Sequence, residues 1–294
     1  MSTTSLTGFE ERFADVKAVR LRYFVGGAGP PLVLVHGLTG AASNWAELAP
    51  RLARTRRVLV PDLPGHGGSA PLPAAPNLDA YAERVHALAQ REAMLPAPLV
   101  GHSLGGLVAL RLALRHPGDV TGVVLAAAAG IASTTRSAEF WISLFGLVRP
   151  GRLVAPFRER IARYPALRRA VFTRWELSDP ASLSARSVEG FLAGPPLHTD
   201  VVSAGQVLVR DDPRLDLEGV RCSCLVLWGA RDRQVPIDDA FEYARRLRAP
   251  LRTIADCGHL LIGERPEACA DAIVSFLHWI REVDEAPVEP EPLG

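Results

Sequence analysis

The amino-acid sequence predicts an α/β fold: a mostly parallel sheet of roughly eight strands, with helices on both faces and a helical insertion. Short, continuous apolar runs alternate with segments of helical periodicity, as in proteins whose strands are covered on both faces. The alternation stops between about residues 131 and 210, where no convincing strand pattern occurs. The chain has 294 residues, 48% of them hydrophobic, which is enough for a large core.

The predicted strands are short apolar runs rich in valine and leucine. They lie at residues 32–35, 58–60, 99–100, 120–125, 224–228 and 251–255. Segments with helical spacing of apolar residues lie at 42–54, 78–92, 104–116, 238–247 and 266–283. Because strand and helix alternate, most strand pairs are expected to be parallel. Residues 20–24 are expected to add antiparallel pairing at one edge of the sheet.

Residues 131–210 are predicted to form a helical lid over an edge of the sheet. The lid interrupts a core made of residues 1–130 and 211–283. Within it, the Asp179-Pro180 pair is typical of a helix cap followed by proline at the first helical position. Residues 284–294 are acidic and rich in proline, and they are predicted to be a disordered tail.

The predicted lid combines basic and apolar residues. Residues 131–175 contain nine arginines and two glutamates, a local charge of +7. Phe140 and Leu144 share one helical face, flanked by Trp141 and Phe145. Three interpretations are open: a helix packed on the core with a solvated basic face, a pocket for an apolar acyl or alcohol group, and binding to anionic lipid. The first two together are favoured, so these four apolar residues are candidates for a substrate pocket.

The most informative motif for function is Gly-His-Ser-Leu-Gly at residues 101–105. Its serine, Ser103, lies between a predicted strand and a predicted helix, on a turn tight enough to require small residues two positions before and after it. The hydroxyl is then exposed at the sheet edge beside a helix N-terminus, which favours negative charge. The motif also occurs by chance, but its position between strand and helix favours a nucleophile.

A serine hydroxyl is a weak nucleophile that needs a base and a third group to orient the base. Asp232 and His259 each follow a predicted strand, and the chain order Ser, Asp, His is the order known for such turns. Either residue alone could be a loop residue with local hydrogen bonds. Together with the serine they predict a catalytic triad. Asp256 is a competing acid, although its place three residues before His259 is more typical of a turn; Asp238 and Asp239 suit a helix start.

The oxyanion of an acyl-transfer reaction needs hydrogen-bond donors fixed in advance. Residues 36–40, His-Gly-Leu-Thr-Gly, form a glycine-containing turn after the first buried strand. The backbone N–H groups of Leu38 and Leu104 are the predicted oxyanion hole. The same turn could be an ordinary connection from strand to helix. His36 and His102 are expected to be structural rather than catalytic.

Composition and charge narrow the class of partner. The formal net charge is +1, so no global field attracts nucleic acid or a membrane surface. The first ten residues have no basic start and no apolar stretch, so no signal peptide is expected, and no segment is long enough to span a membrane. The four cysteines match no zinc or redox spacing and are expected to be buried and reduced, in a cytoplasmic protein. No metal or cofactor is expected. The cysteines are Cys222, Cys224, Cys257 and Cys269.

Taken together, these motifs resemble the α/β-hydrolase superfamily, on its lidded serine-hydrolase side. The resemblance covers about residues 30–266 and rests on His36-Gly37, residues 62–69, residues 101–106, Gly229 with Asp232 and Pro236, and Gly258-His259. It implies that residues 62–69 are a structural loop, and their glycines lack the spacing of a dinucleotide site. The serine nucleophile differs from the aspartate of haloalkane dehalogenases and epoxide hydrolases of this fold. Leu260 stands where many carbon–carbon bond hydrolases of the fold have tryptophan.

Two functions of different classes follow. The first is a serine esterase, which cleaves a small to medium, mainly apolar ester, lactone or thioester through an acyl-enzyme on Ser103. Carbon–carbon cleavage, perhydrolysis and amide cleavage are alternatives within the same fold. The second is a receptor that keeps the triad and signals through its lid. The expected partner is a small-molecule substrate; the sequence leaves its identity, and the choice between monomer and homodimer, open.

Overall fold

The structure is a computed structural model that describes residues 6–73, 77–131, 150–173 and 176–285. A single sheet forms its centre. It has eight strands in the order β1-β2-β4-β3-β5-β6-β7-β8. The strands are β1 (Phe9–Val16), β2 (Val19–Gly26), β3 (Pro31–Val35), β4 (Arg57–Pro61), β5 (Ala97–His102), β6 (Val120–Ala126), β7 (Ser223–Gly229) and β8 (Leu251–Ile254).

The pairing of strands is mostly parallel, as expected from the alternation of strand and helix. From β4 through β3, β5, β6 and β7 to β8, every neighbouring pair is parallel. β2 pairs antiparallel with both β1 and β4, which confirms the antiparallel edge expected around residues 20–24. In the parallel part, Val35 pairs with Gly101, and Gly101 pairs with Leu125. The carboxyl ends of these strands therefore lie side by side at one edge.

Helices connect the strands. Within the described residues they are α1 (Ala49–Leu52), α2 (Leu78–Arg91), α3 (Leu104–Arg115), α4 (Pro150–Val154), α5 (Arg158–Arg163), α6 (Pro165–Val171), α7 (Ala185–Ala193), α8 (Val201–Arg210), α9 (Ile237–Leu247), α10 (Leu261–Glu264) and α11 (Pro266–Glu285). The segment between β6 and β7 is helical where it is described, with α4 to α8 and several 3₁₀ turns. Asp179 caps the 3₁₀ turn Pro180–Ser182 by accepting from the Ala181 N–H at 3.1 Å, as the Asp-Pro pair predicted.

Two glycines show that helices cover both faces of the sheet. A Cβ on Gly101 would lie 2.2 Å from the Gly105 carbonyl oxygen, so this face of β5 lies against α3. A Cβ on Gly122 would meet Phe276 and Ile280 of α11. Because Gly101 pairs with Leu125, and residues 122 and 125 point to opposite sides of one strand, α3 and α11 lie on opposite faces.

The core lies on the central strands, whose residues are almost entirely buried in β3 to β7. Trp228 of β7 is fully buried, and its indole N–H donates to the Val235 carbonyl at 3.2 Å. Each buried valine or leucine contributes about 1.5–3 kcal/mol relative to exposure. The strand ends that carry loops are therefore held by the most deeply packed part of the protein. In the described residues, no helix has both the length and the apolar character needed to cross a membrane.

One predicted helix is wrong in extent. Residues 42–54 do not form a single helix but a 3₁₀ turn, Ala42–Trp45, followed by the four-residue α1. Pro50 lies at the start of α1, and it has no N–H to donate to the preceding turn of a continuous helix. The Asn44 side chain also accepts from the Ala41 N–H at 3.3 Å, which stabilises a local turn instead.

Candidate active site

Ser103 occupies the sharp turn between β5 and α3. Its backbone has φ +53° and ψ −119°, a conformation that a residue with a side chain rarely adopts. The turn is possible because Gly105 packs directly on β3, where a Cβ would lie 2.1 Å from the Val35 carbonyl oxygen. Ser103 is fixed on both sides: its N–H donates to the Ala126 carbonyl at 3.0 Å, and its carbonyl accepts from the Ala129 N–H at 3.2 Å.

His259 and Asp232 come together as a buried pair. His259 follows β8 and Asp232 follows β7, which are neighbours in the sheet. The His259 Nδ1 lies 2.9 Å from Asp232 Oδ2, and the two side chains are 2% and 0% exposed. The other carboxylate oxygen accepts from the N–H groups of Gln234 and Val235 at 2.8 and 2.9 Å. With all these bonds made, the carboxylate orients the imidazole and leaves Nε2 on the opposite side of the ring.

The loop that carries His259 is anchored by its backbone. The Gly258 N–H donates to Glu264 Oε2 at 2.7 Å, and the Leu260 N–H donates to the Glu176 carbonyl at 3.1 Å. The carbonyl of His259 accepts from His102 Nε2 at 2.9 Å. His102 immediately precedes Ser103, so this bond ties the loop of His259 directly to the turn of the serine.

Burial fixes the role of His102. Its ring is 5.0 Å from the ring of His259 between centroids, and burial lowers its pKa to about 3. The imidazole is therefore neutral near pH 7, with the proton on Nε2 and a lone pair on Nδ1. A neutral ring that donates to a backbone carbonyl agrees with the structural role expected from the sequence.

The turn after β3 lies against Ser103. A Cβ on Gly37 would be 2.9 Å from Ser103 Cβ, so the backbone of this turn packs on the serine with no room for a side chain between them. The Gly40 N–H donates to the Gly37 carbonyl at 3.1 Å, which closes the turn around Leu38. Leu104 is the first residue of α3, and the first N–H groups of a helix have no acceptor within it. The two predicted oxyanion donors thus lie on separate elements: Leu104 follows Ser103 in the chain, and Leu38 follows Gly37, which packs on Ser103.

His36 holds this turn to the loop of residues 62–69. Its Nε2 accepts from the Leu63 N–H at 2.9 Å, and its Nδ1 lies 2.8 Å from the Gly37 carbonyl. Burial lowers the pKa of His36 to about 3. In the same loop, buried Asp62 accepts from the N–H groups of Ala42 and Gly68 at 2.6 and 2.8 Å. These contacts support the structural roles expected for His36 and for this loop.

The competing acids lie elsewhere. Asp256 forms an exposed ion pair with Arg231 at 2.5 Å, and the His259 Nδ1 is bonded to Asp232 instead. Asp238 and Asp239 lie in the first turn of α9, as their position predicted. Four residues of the predicted pocket lie outside the described residues: Phe140, Trp141, Leu144 and Phe145.

Sequence reasoning missed Glu264, whose buried carboxylate joins two parts of the chain. Its Oε2 accepts from Gly258, and its Oε1 accepts from the Asp179 N–H at 3.0 Å. The side chain therefore holds the loop of His259 to the segment between β6 and β7. Its signal in the sequence is a lone glutamate that ends the apolar stretch of residues 260–263, because buried carboxylates need hydrogen-bond partners.

The cysteines and one histidine cluster offer little for catalysis. All four cysteines are free; three are buried and Cys222 is half-buried. Within the described part of the chain, His86, His116 and Asp119 bring potential metal-binding atoms within 4.8 Å. The two imidazoles are stacked 3.6 Å apart at 6°, so one ion cannot lie in both ring planes. Each ring instead bonds a carboxylate, at 2.7 and 2.8 Å.

Comparisons with known proteins agree with this geometry. The model of the alpha/beta hydrolase family matches residues 32–272. The chain is 34% identical over 258 residues to a pimeloyl-[acyl-carrier protein] methyl ester esterase of Aromatoleum aromaticum, covering 82% of this chain and 95% of that protein. It is 32% identical over 268 residues to a dihydrolipoyllysine-residue acetyltransferase component of the acetoin cleaving system of Pseudomonas putida, covering 90% and 68% of the two chains.

Solved structures show the same fold. A bacterial membrane phospholipase A superposes with a TM-score of 0.73 at 27% identity, covering 95% of this chain and 88% of that chain. The segment that the family model matches includes all but the first residue of β3, the turn of Ser103, the Asp232–His259 pair and the start of α11. The chain therefore belongs to the alpha/beta hydrolase family.

Proposed function

We propose that this hydrolase is a serine esterase, which cleaves a small to medium, mainly apolar carboxylic ester, lactone or thioester through an acyl-enzyme on Ser103. The observation that carries the proposal is the buried bond of 2.9 Å between His259 and Asp232, in a loop tied by His102 to the strained turn of the serine. The two relatives named above support it, because both names describe chemistry at an acyl carbon.

In the proposed mechanism, Asp232 holds the proton of His259 on Nδ1, so Nε2 is the base. Nε2 takes the proton of Ser103, whose Oγ attacks the substrate carbonyl. The N–H groups of Leu38 and Leu104 stabilise the oxyanion that forms. His259 then gives its proton to the leaving alcohol or thiol. Water, deprotonated by His259, attacks the acyl-enzyme and releases the carboxylic acid.

The proposed substrate is a small molecule that enters beneath the segment of residues 131–210, acting as a lid. Residues 176–179 lie against the loop of His259: a Cβ on Gly258 would be 2.7 Å from Leu177 Cα. This contact with the loop of His259 supports the proposed role of the segment as a lid. The apolar side chains of Phe140, Trp141, Leu144 and Phe145 remain the proposed lining for an acyl or alcohol group.

A fluorophosphonate probe tests the nucleophile, because it reacts covalently with an activated serine. We expect labelling of the wild-type protein on Ser103 and none in Ser103→Ala. On p-nitrophenyl esters of increasing chain length, Ser103→Ala is expected to lower turnover by on the order of 10⁴-fold. Ester hydrolysis that survives this change would refute the assignment.

Multiple turnover separates the esterase from a receptor that keeps the triad. An esterase releases many equivalents of p-nitrophenol per protein, whereas a receptor that becomes acylated releases one. A carbon–carbon bond hydrolase of the same fold would prefer a vinylogous diketone to an aryl ester of similar size. A higher kcat/KM on the diketone would favour that alternative. Leu260 speaks against it, because it stands where many carbon–carbon bond hydrolases of the fold have tryptophan.

A further inference from the structure

His198 connects the segment between β6 and β7 to the turn beside the serine. It follows the 3₁₀ turn Pro195–Leu197 and is buried, with 8% of its surface exposed. Its Nε2 lies 2.8 Å from the Thr39 carbonyl oxygen, and its Nδ1 accepts from the Gly67 N–H at 2.9 Å. A neutral imidazole with its proton on Nε2 satisfies both bonds.

The acceptor of this bond lies in a strained turn. Thr39 has φ +57°, in the left-handed region that disfavours a β-branched residue. Such a conformation costs on the order of 1–3 kcal/mol and persists only where its surroundings hold it. The peptide that joins Thr39 to Gly40 is held at both ends. Its C=O accepts from His198, and its N–H donates to the Gly37 carbonyl.

Close packing brings the histidine to this turn. A Cβ on Gly194 would lie 2.6 Å from Ala41 Cβ, so the chain before His198 touches the chain just after the turn. Gly37, at the other end of the turn, packs on Ser103. Leu38 lies between these two fixed points. Leu38 therefore lies in a turn whose far end is held by His198.

We propose that His198 is a positioning residue for the oxyanion hole, acting through Thr39. The proposal rests on the proposed function, because the Leu38 N–H stabilises an oxyanion only if Ser103 attacks a carbonyl. It assigns to the inserted segment a part in catalysis besides covering the substrate. Loss of the bond to Thr39 lets the turn relax, which weakens transition-state binding more than ground-state binding.

Two substitutions separate the two bonds of the imidazole. In His198→Asn, the shorter amide can still accept from Gly67, but it cannot reach Thr39. In His198→Gln, the amide nitrogen reaches the position of Nε2 and can donate to Thr39. We expect kcat for a p-nitrophenyl ester to fall roughly 10-fold or more in the Asn variant, with KM within about threefold of wild type. The Gln variant is expected to keep kcat within about threefold.

The control is His278→Asn, since His278 is exposed on α11. All rates are normalised to the concentration of protein that a fluorophosphonate labels to completion, so misfolded protein does not count. If His198 were purely structural, its substitution would lower the labelled fraction or the midpoint of thermal unfolding, but it would not lower kcat per labelled site. Equal kcat in the Asn variant and wild type would overturn the proposal.

A second variant works even if His198→Asn folds poorly. Thr39 is exposed, so Thr39→Gly removes no packed side chain, and glycine adopts φ +57° without strain. In the Thr39→Gly background, we expect the effect on kcat of a substitution that loses the bond to Thr39 to shrink at least threefold relative to its effect in wild type. The substitution is His198→Asn or, where that variant folds poorly, His198→Leu, which fills a similar volume and makes neither bond. Fully additive effects would overturn the proposal. A wild type that is neither labelled nor active overturns the proposed function as well, whereas an active wild type with an unaffected Asn variant overturns this inference alone.

Discussion

Acid should destabilise this protein well above the pH at which its carboxylates titrate. His36, His66 and His102 are buried, and burial lowers the pKa of each from 6.5 to about 3. At these three groups, the unfolded chain therefore binds up to three more protons than the folded chain between these values. The stability that depends on neutral histidines is present above pH 6.5 and is lost as the pH falls towards 3.

The size of the effect follows from the shift. Each such histidine costs about 1.4 kcal/mol per pH unit below 6.5, so the step from pH 7 to 5 costs about 2 kcal/mol for each and about 6 kcal/mol for the three. The free energy of unfolding of a typical domain is about 5–15 kcal/mol in total, so a loss of this size would be a large part of it. Burial raises the pKa of Asp62, so the folded chain binds a proton there before the unfolded chain does. This stabilises the folded state at acid pH and offsets part of the loss from the histidines.

Urea unfolding at pH 7, 6, 5.5 and 5, followed by tryptophan fluorescence, measures the free energy of unfolding. His66→Asn should remove one of the three protons, and about 2 kcal/mol of the acid loss, because an amide does not titrate. The exposed His278→Asn is the matched control and should leave the slope unchanged. The reasoning fails if stability is flat from pH 7 to 5, or if the His66 and His278 variants have the same slope.

Three further substitutions test the site and its supports. Asp232→Asn should lower kcat by on the order of 10⁴-fold with little change in unfolding midpoint, because an amide favours the wrong tautomer of His259; a loss below tenfold would contradict the triad. Gly105→Ala should cost about 1–3 kcal/mol in urea unfolding, since its Cβ would lie 2.1 Å from the Val35 carbonyl; unchanged stability would contradict the close contact. Glu264→Ala should cost about 1–4 kcal/mol, because the buried N–H of Gly258 and the partly buried N–H of Asp179 lose their acceptor; unchanged stability would show that water replaces it.

The sequence predicted the central strands well because both of their faces are buried. Such strands are continuous apolar runs, and β3 and β6 were found within a residue or two of their bounds. The edge strand β1 was missed because it has no continuous apolar run: only Ala14 and Val16 are buried, and its other residues are exposed or half-buried. The helix expected at residues 42–54 was too long because periodicity does not register a single proline at the start of α1.

The candidate site could be predicted only where chemistry follows local pattern. Ser103, Asp232 and His259 stand in short motifs at strand ends, which a sequence displays directly. Glu264 and His198 act on backbone groups that are distant along the chain: the bond of His198 to Thr39 spans 159 residues. Such contacts depend on how the loops pack in three dimensions, so the spacing of residues in the sequence does not predict them.

The junctions of the inserted segment determine how it can be exchanged. On entry, Ala129 is bonded to Ser103 and to the Tyr243 hydroxyl, which donates to its carbonyl at 2.6 Å. Just before α8, the last helix of the segment, the N–H groups of Thr199 and Asp200 both donate to the Gly65 carbonyl. Chimeras in which a relative's segment is inserted between these two hydrogen-bonded positions are expected to keep the fold of the core. A grafted segment that lacks a hydrogen-bond donor opposite Thr39 would change turnover as well as substrate preference. In such chimeras, kcat on one common ester and the relative kcat/KM among esters must therefore be measured separately.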